Sequence, residues 1–205
     1  LDLASGTISG DIRHFTLFAV LAVKKTAAEP KPALPELSDI DGSWAADAIR
    51  RAVALGIVSG YPDGTFRPDA TITRAEFVQM AVRAFRPEPG PGKAFADTAG
   101  HWAEEAVATA AARGWVKGYD EDRFGPDDPV TREQIAVILA NALGITGEAE
   151  ETAYTDRGGI SPWAVGSVAA LSERKLIAGY PDGSFKPQQH ATRAEAVALI
   201  LRVLP

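Results

Sequence analysis

One pattern, written three times in fixed register, limits what this chain can fold into more than any other feature. It runs tryptophan, Gly-Tyr, phenylalanine, Thr-Arg. The first copy is Trp44, Gly60-Tyr61, Phe66, Thr73-Arg74; the second is Trp102, Gly118-Tyr119, Phe124, Thr131-Arg132; the third is Trp163, Gly179-Tyr180, Phe185, Thr192-Arg193. The step between copies is 58 residues, then 61, at the Trp, Tyr, Phe and Thr positions. At the leading Asp39, Asp97 and Asp156 the steps are 58 and 59, so two of the extra residues fall between Asp156 and Trp163. A unit of this size buries too little surface to stand alone, so the copies must stack on one another. The repeats take residues 37–94, 95–152 and 153–205, joined by the Pro- and Gly-rich stretch 86–93 and the stretch 144–152.

Each copy reads as helix, loop, helix. The first helix is expected to open at Ser43, His101 or Ser161-Pro162, because Ser is a good N-cap and Pro suits the first helical position. Gly56 and Gly114 should end it. Pro-Asp-Gly at 62–64 and 181–183 is strong turn chemistry. The second helices follow Thr73/Glu76, Thr131/Gln134 and Thr192/Glu195, each spaced as a capping box. They are apolar on nearly every side, which belongs in an interior. Three such helices packed together predict an all-α unit with pseudo-threefold arrangement.

Capping does not account for Arg74, Arg132 and Arg193. A cation at the first helical position opposes the helix dipole, yet all three copies place one there. Two readings follow: a pocket in which arginine and free helix N–H groups hold a carboxylate or phosphate, or a salt bridge to an acid of the next repeat. Trp44, Trp102 and Trp163 are either core anchors or half-exposed rings that stack on a sugar. Tyr61, Tyr119, Tyr180 and the three phenylalanines read as packing residues of the loop. Gly60, Gly118 and Gly179 imply positive φ or a close backbone approach. The acidic loop Asp120-Glu-Asp122 lacks the spacing of a twelve-residue calcium site, so no metal is expected.

Composition removes whole classes of function. The chain has no Cys and three scattered His, which excludes disulfide scaffolds, thiolate zinc sites, iron–sulfur clusters and a cysteine nucleophile. A net charge of −6 without a basic cluster speaks against nucleic-acid binding. No apolar run approaches the ~20 residues of a membrane span. No triad, P-loop or dinucleotide motif is present, so no enzyme and no cofactor is expected from the repeats. Residues 1–28 alternate like β-strands around Ser9-Gly-Asp11 and read as the last hairpin of a preceding β domain, followed by a stiff linker at 29–36. His14-Phe15-Thr16 is similar to a self-cleavage site in which Thr16 attacks the carbonyl before it; an ordinary strand pair is the other reading.

Taken together, the Phe/Leu-x-Asp start, the Trp-opened helix, the Gly-Tyr-Pro-Asp-Gly-x-Phe loop and Thr-Arg-Ala-Glu resemble S-layer homology (SLH) domains over residues 37–204. The resemblance implies a three-pronged pseudo-trimer around a central three-helix bundle. It implies an extracellular cell-wall or S-layer protein of a Gram-positive-type envelope, held non-covalently by secondary cell wall polymer on peptidoglycan, typically through pyruvylated N-acetylmannosamine. Its sites lie in grooves between repeats, which would pair Arg74 with Trp102, Arg132 with Trp163 and Arg193 with Trp44. Ser59-Gly60, Lys117-Gly118 and Ala178-Gly179 would line them, and Asp69 and Asp127 would accept sugar hydroxyls. The sequence departs from the pattern at Asp120–Arg123, at Thr-Arg-Glu-Gln in repeat two, and at Ala178 and Gln188 in repeat three. Unequal grooves are therefore expected, the third the weakest. Assembly with neighbouring S-layer subunits is the alternative function.

Overall fold

The computed structural model describes residues 36–90, 92–145 and 152–204. The hairpin at 1–28 and the Phe15–Thr16 reading lie outside the described residues. Six α-helices carry the fold: α1 Ala46–Ala54, α2 Arg74–Phe85, α3 Glu104–Ala112, α4 Arg132–Ala142, α5 Val165–Glu173 and α6 Arg193–Val203. Two 3₁₀ turns, Ala96–Thr98 and Arg157–Gly159, precede α3 and α5. Among the described residues there is no strand, only isolated bridges, so the fold is all-helical as expected.

The second helices start where their capping boxes place them. Thr73, Thr131 and Thr192 each accept from the N3 backbone, and Glu76, Gln134 and Glu195 reach back to the N-cap N–H. The first helices start later than expected, at Ala46, Glu104 and Val165, behind alanines that make no side-chain cap. Ser43 and His101 hold a separate turn instead, accepting from the N–H groups of Ala45 and Ala103. Each tryptophan thus sits in a turn ahead of its helix. At the far end the expectation holds: Gly56 and Gly114 take φ of 72° and 70°. Repeat three puts Lys175 there, at φ 58°.

The principal helix pairings run between repeats. The second helix of each repeat packs on the first helix of the next: α2 on α3, α4 on α5, and α6 back on α1. Helix α2 also touches α4 and α6, and one apolar core runs through all six helices. Three backbone hydrogen bonds close the circle just before the capping threonines. Ile72 N–H donates to Ala191 O (3.0 Å), Ala191 N–H to Val130 O (3.1 Å), and Val130 N–H to Ile72 O (3.0 Å). The three residues occupy one register position, each fully buried.

The leading aspartates explain the loop. Asp39 accepts from the N–H of Phe66 and of Arg67, both at 2.7 Å, and Asp97 and Asp156 do the same for Phe124–Gly125 and Phe185–Lys186. These bonds hold the second residue of each pair at φ between 57° and 74°, although only Gly125 is a glycine. Phe66, Phe124 and Phe185 then drop into the core, as packing residues should.

Candidate functional site

Each helix-start arginine reaches into the loop of the following repeat. Arg74 donates through Nε to Phe124 O (3.0 Å), Arg132 to Phe185 O (2.8 Å), and Arg193 to Phe66 O (2.9 Å). A second bond runs from Arg74 Nη2 to Lys117 O and from Arg132 Nη2 to Ala178 O. The guanidinium planes also lie over Tyr119, Tyr180 and Tyr61, 4.6–4.8 Å from the ring centres. The three arginines are only 5–7% exposed.

The acidic partner expected on the salt-bridge reading is present in two copies. Arg193 Nη1 lies 2.9 Å from Glu76 Oε1, and Arg132 Nη1 lies 3.8 Å from Glu195 Oε1. Those glutamates also accept from Tyr61 and Tyr180 hydroxyls (3.2 and 2.8 Å). Burial, with the neighbouring carboxylate adding to it, pushes both phenols above their ordinary pKa. Arg74 has Gln134 in the corresponding place and forms no ion pair among the described residues. Burial pulls its guanidinium below the ordinary value.

The helix N–H groups invoked for an anion pocket are already occupied. The N–H groups of Arg74 and Ala75 donate to Asp128 O and Pro126 O, those of Arg132 and Glu133 to Gln189 O and Pro187 O, and those of Arg193 and Ala194 to Ala70 O and Pro68 O. Threonine takes the third. An anion must therefore be met by side chains, because the packing of the next repeat's loop has used the backbone donors.

The grooves combine different residues from those expected. One, of about 260 Å³, is lined by Ser59, Gly60 and Tyr61 with Arg193, Arg83 and Trp102. Another, of about 410 Å³, is lined by Ala178, Gly179 and Tyr180 with Arg132, Arg202, Trp44 and Asp69. So Arg193 meets Trp102 and Arg132 meets Trp44, where the expected partners were Trp44 and Trp163. The reason is the helix exchange: one repeat supplies the arginine, the next the loop and second helix, and the third the tryptophan at the start of the helix packed on it. At the remaining helix start, Arg74 bonds Lys117 O, and α5, which follows Trp163, packs on α4.

Trp44, Trp102 and Trp163 are 70%, 61% and 58% exposed, which decides against core anchors. The glycines do mark a close approach, to their own chain. A Cβ on Gly60 would stand 2.9 Å from Thr65 O, and one on Gly118 2.5 Å from Arg123 O, at negative φ. Asp69 is in the Trp44 groove, whereas Asp127 accepts from His101 (3.3 Å). Arg83 and Arg202 escaped the sequence reading, although each follows its helix-start arginine by the same interval. Repeat two has Asn141 there, donating to Trp115 O.

Comparison with known proteins decides what kind of chain this is: the S-layer homology domain family matches residues 36–78, 94–136 and 153–197. The chain belongs to the S-layer homology family. An amylopullulanase of Thermoanaerobacterium thermosulfurigenes is 32% identical over all of this chain and 11% of its own length. Cell surface glycoprotein 1 of Acetivibrio thermocellus is 35% identical over 71% of this chain and 7% of that protein. The surface-layer 125 kDa protein of Lysinibacillus sphaericus is 28% identical over 74% of this chain and 13% of its own. The chain thus spans a small part of each of these relatives. SLH repeats anchor surface proteins to the cell wall through its polymers, and the chain is accordingly a cell-surface, wall-associated one. The repeats are non-catalytic. Among the described residues no helix is long and apolar enough to cross a membrane, and no cluster of three or more acidic or histidine side chains could hold a metal.

Proposed function

We propose that the three SLH repeats form a three-pronged pseudo-trimer that holds a surface protein on pyruvylated secondary cell wall polymer. The sugar would lie on Trp44, Trp102 or Trp163. The loops at Ser59-Gly60, Lys117-Gly118 and Ala178-Gly179 would form the wall, with Arg74, Arg132 and Arg193 beneath. Asp69 and Asp127 would accept sugar hydroxyls. One observation carries this reading: each of two open grooves is lined by an exposed indole, Trp102 or Trp44, and an exposed cation, Arg83 or Arg202, a pairing suited to an acidic sugar.

The test is retention on purified cell-wall polymer before and after chemical removal of pyruvate. Retention should fall on depyruvylated polymer, and fall again when all three tryptophans become alanine. Equal retention on both polymers overturns the carboxylate part; silent tryptophans overturn the grooves. Retention of a second copy of the protein with no polymer present would favour subunit assembly instead.

A further inference from the structure

The three arginines are buried alike but are not neutralised alike. Glu76 Oε1 sits among the Tyr61 hydroxyl and Arg193 Nη1, while its Oε2 caps Thr73 N–H. Glu195 repeats this with Tyr180, Arg132 and Thr192. In these grooves the protein supplies its own carboxylate oxygen. In repeat two, Gln134 Oε1 accepts from Thr131 N–H at 3.1 Å, as the N-cap requires. The other end of that amide is then Nε2, a donor, in the register where the glutamates carry an acceptor.

The register that holds a carboxylate beside Arg132 and Arg193 thus offers Arg74 only donors, with the Tyr119 ring 4.6 Å from its guanidinium and half exposed to solvent. The Tyr119 hydroxyl, Gln134 Nε2 and Arg74 Nη1 make no hydrogen bond among the described residues, while Arg74 Nε and Nη2 are spent on Phe124 O and Lys117 O. The acids whose fields reach Arg74 are engaged elsewhere: Asp97 by the Phe124 and Gly125 amides, Asp128 by Arg123. Glu133, beside Gln134 at the start of α4, is held by Ser161 and Gln188. A guanidinium that is 5% exposed and has no carboxylate is an incomplete ion pair.

We infer that the groove of Arg74, Tyr119 and Gln134 is the one that takes an external carboxylate, and that Gln134 selects it by leaving the acceptor's place to the ligand. The inference rests on the anionic-glycan reading above and names its principal groove. A ligand carboxylate oxygen there accepts from Arg74 Nη1, the Tyr119 hydroxyl and Gln134 Nε2, as Glu76 Oε1 does from Arg193 and Tyr61. Lys117, whose backbone oxygen accepts from Arg74, is exposed and stands where the other repeats have Ser59 and Ala178.

The experiment is calorimetric titration of the full chain with a glycoside of 4,6-pyruvylated N-acetylmannosamine and with its depyruvylated counterpart. Wild type should show one tight site for the pyruvylated probe. Gln134→Glu should weaken it about tenfold or more, the worth of a charge-assisted bond, while raising the melting temperature because Arg74 gains its partner. Opposite signs separate this from misfolding, which would lower both. Glu76→Gln should open a second tight site. Wild-type affinity in a Gln134→Glu chain that melts normally overturns the inference alone, as does a Glu76→Gln chain with no added site. A wild type that binds both probes alike overturns the pyruvate reading along with it.

Discussion

Arg193 Nη1 donates to Glu76 Oε1 at 2.9 Å, joining positions 117 residues apart. One end is the start of the last helix and the other the capping glutamate of the first repeat, so a single contact serves as cap, ion pair and ring closure. Arg193→Met should cost about 3 kcal/mol in urea unfolding, because it leaves the Glu76 carboxylate without its cation and Phe66 O without its donor. Arg74→Met should cost less, about 1–2 kcal/mol, because only carbonyls are left behind. Equal costs would contradict the asymmetry.

Two departures from the repeat pattern are one contact. Glu133 stands where the other repeats have Ala75 and Ala194, and Gln188 where they have Asp69 and Asp127. Gln188 Nε2 donates to Glu133 Oε1 at 2.8 Å, and Ser161 completes the carboxylate's bonds. An aspartate at 188 would face a buried like charge. Gln188→Asp alone should cost about 1–2 kcal/mol, and much of that loss should vanish in Gln188→Asp with Glu133→Ala. Additive losses in a double-mutant cycle would refute the coupling.

Lys175 occupies the left-handed position that Gly56 and Gly114 fill in the other repeats. Lys175→Gly should raise stability by up to about 1 kcal/mol by relieving its Cβ, read as a higher urea midpoint at unchanged slope.

Because α6 packs on α1, the repeats should not melt one by one. Residues 36–204 are expected to unfold in one calorimetric transition with matching van't Hoff and calorimetric enthalpies. Deleting 152–205 uncovers α1 and α4 and should abolish cooperative melting of the remainder. A stable two-repeat fragment would count against the closed ring.

Hydrogen bonds from Thr65 and Arg67 hold the Asp63 carboxyl down at about 2, against an ordinary 3.8. Its folded form is favoured fully above 3.8, and the advantage fades as pH falls through about 2. The group is fully solvated, so the effect on stability is small. A carboxyl NMR titration midpoint near 3.8 would show that the turn does not hold it.

What could be read along the chain was whatever one repeat states locally. The capping boxes, the helix-ending glycines, the apolar second helices and the buried phenylalanines follow from residue type and spacing, because caps, turns and burial act within a few residues. The start of the first helices was misread, because Ser43 and His101 serve a turn ahead of the helix instead of its cap. The substitutions in repeats two and three predict unequal grooves with the third the weakest, whereas the difference the structure shows lies at Gln134 of repeat two, where Arg74 has no carboxylate among the described residues.

By itself the sequence determined a threefold all-helical repeat, its caps, its family and the residue types that line the grooves. Only the tertiary structure decided the partners. The first helix of each repeat crosses to its predecessor's second helix, so Arg193 meets Trp102 and Arg132 meets Trp44. The same crossing consumes the helix N–H groups and places a glutamate against two of three buried arginines. A spacing repeated identically in every copy cannot say which copy touches which; ring closure, with Ile72, Val130 and Ala191 bonded in a circle, settles it.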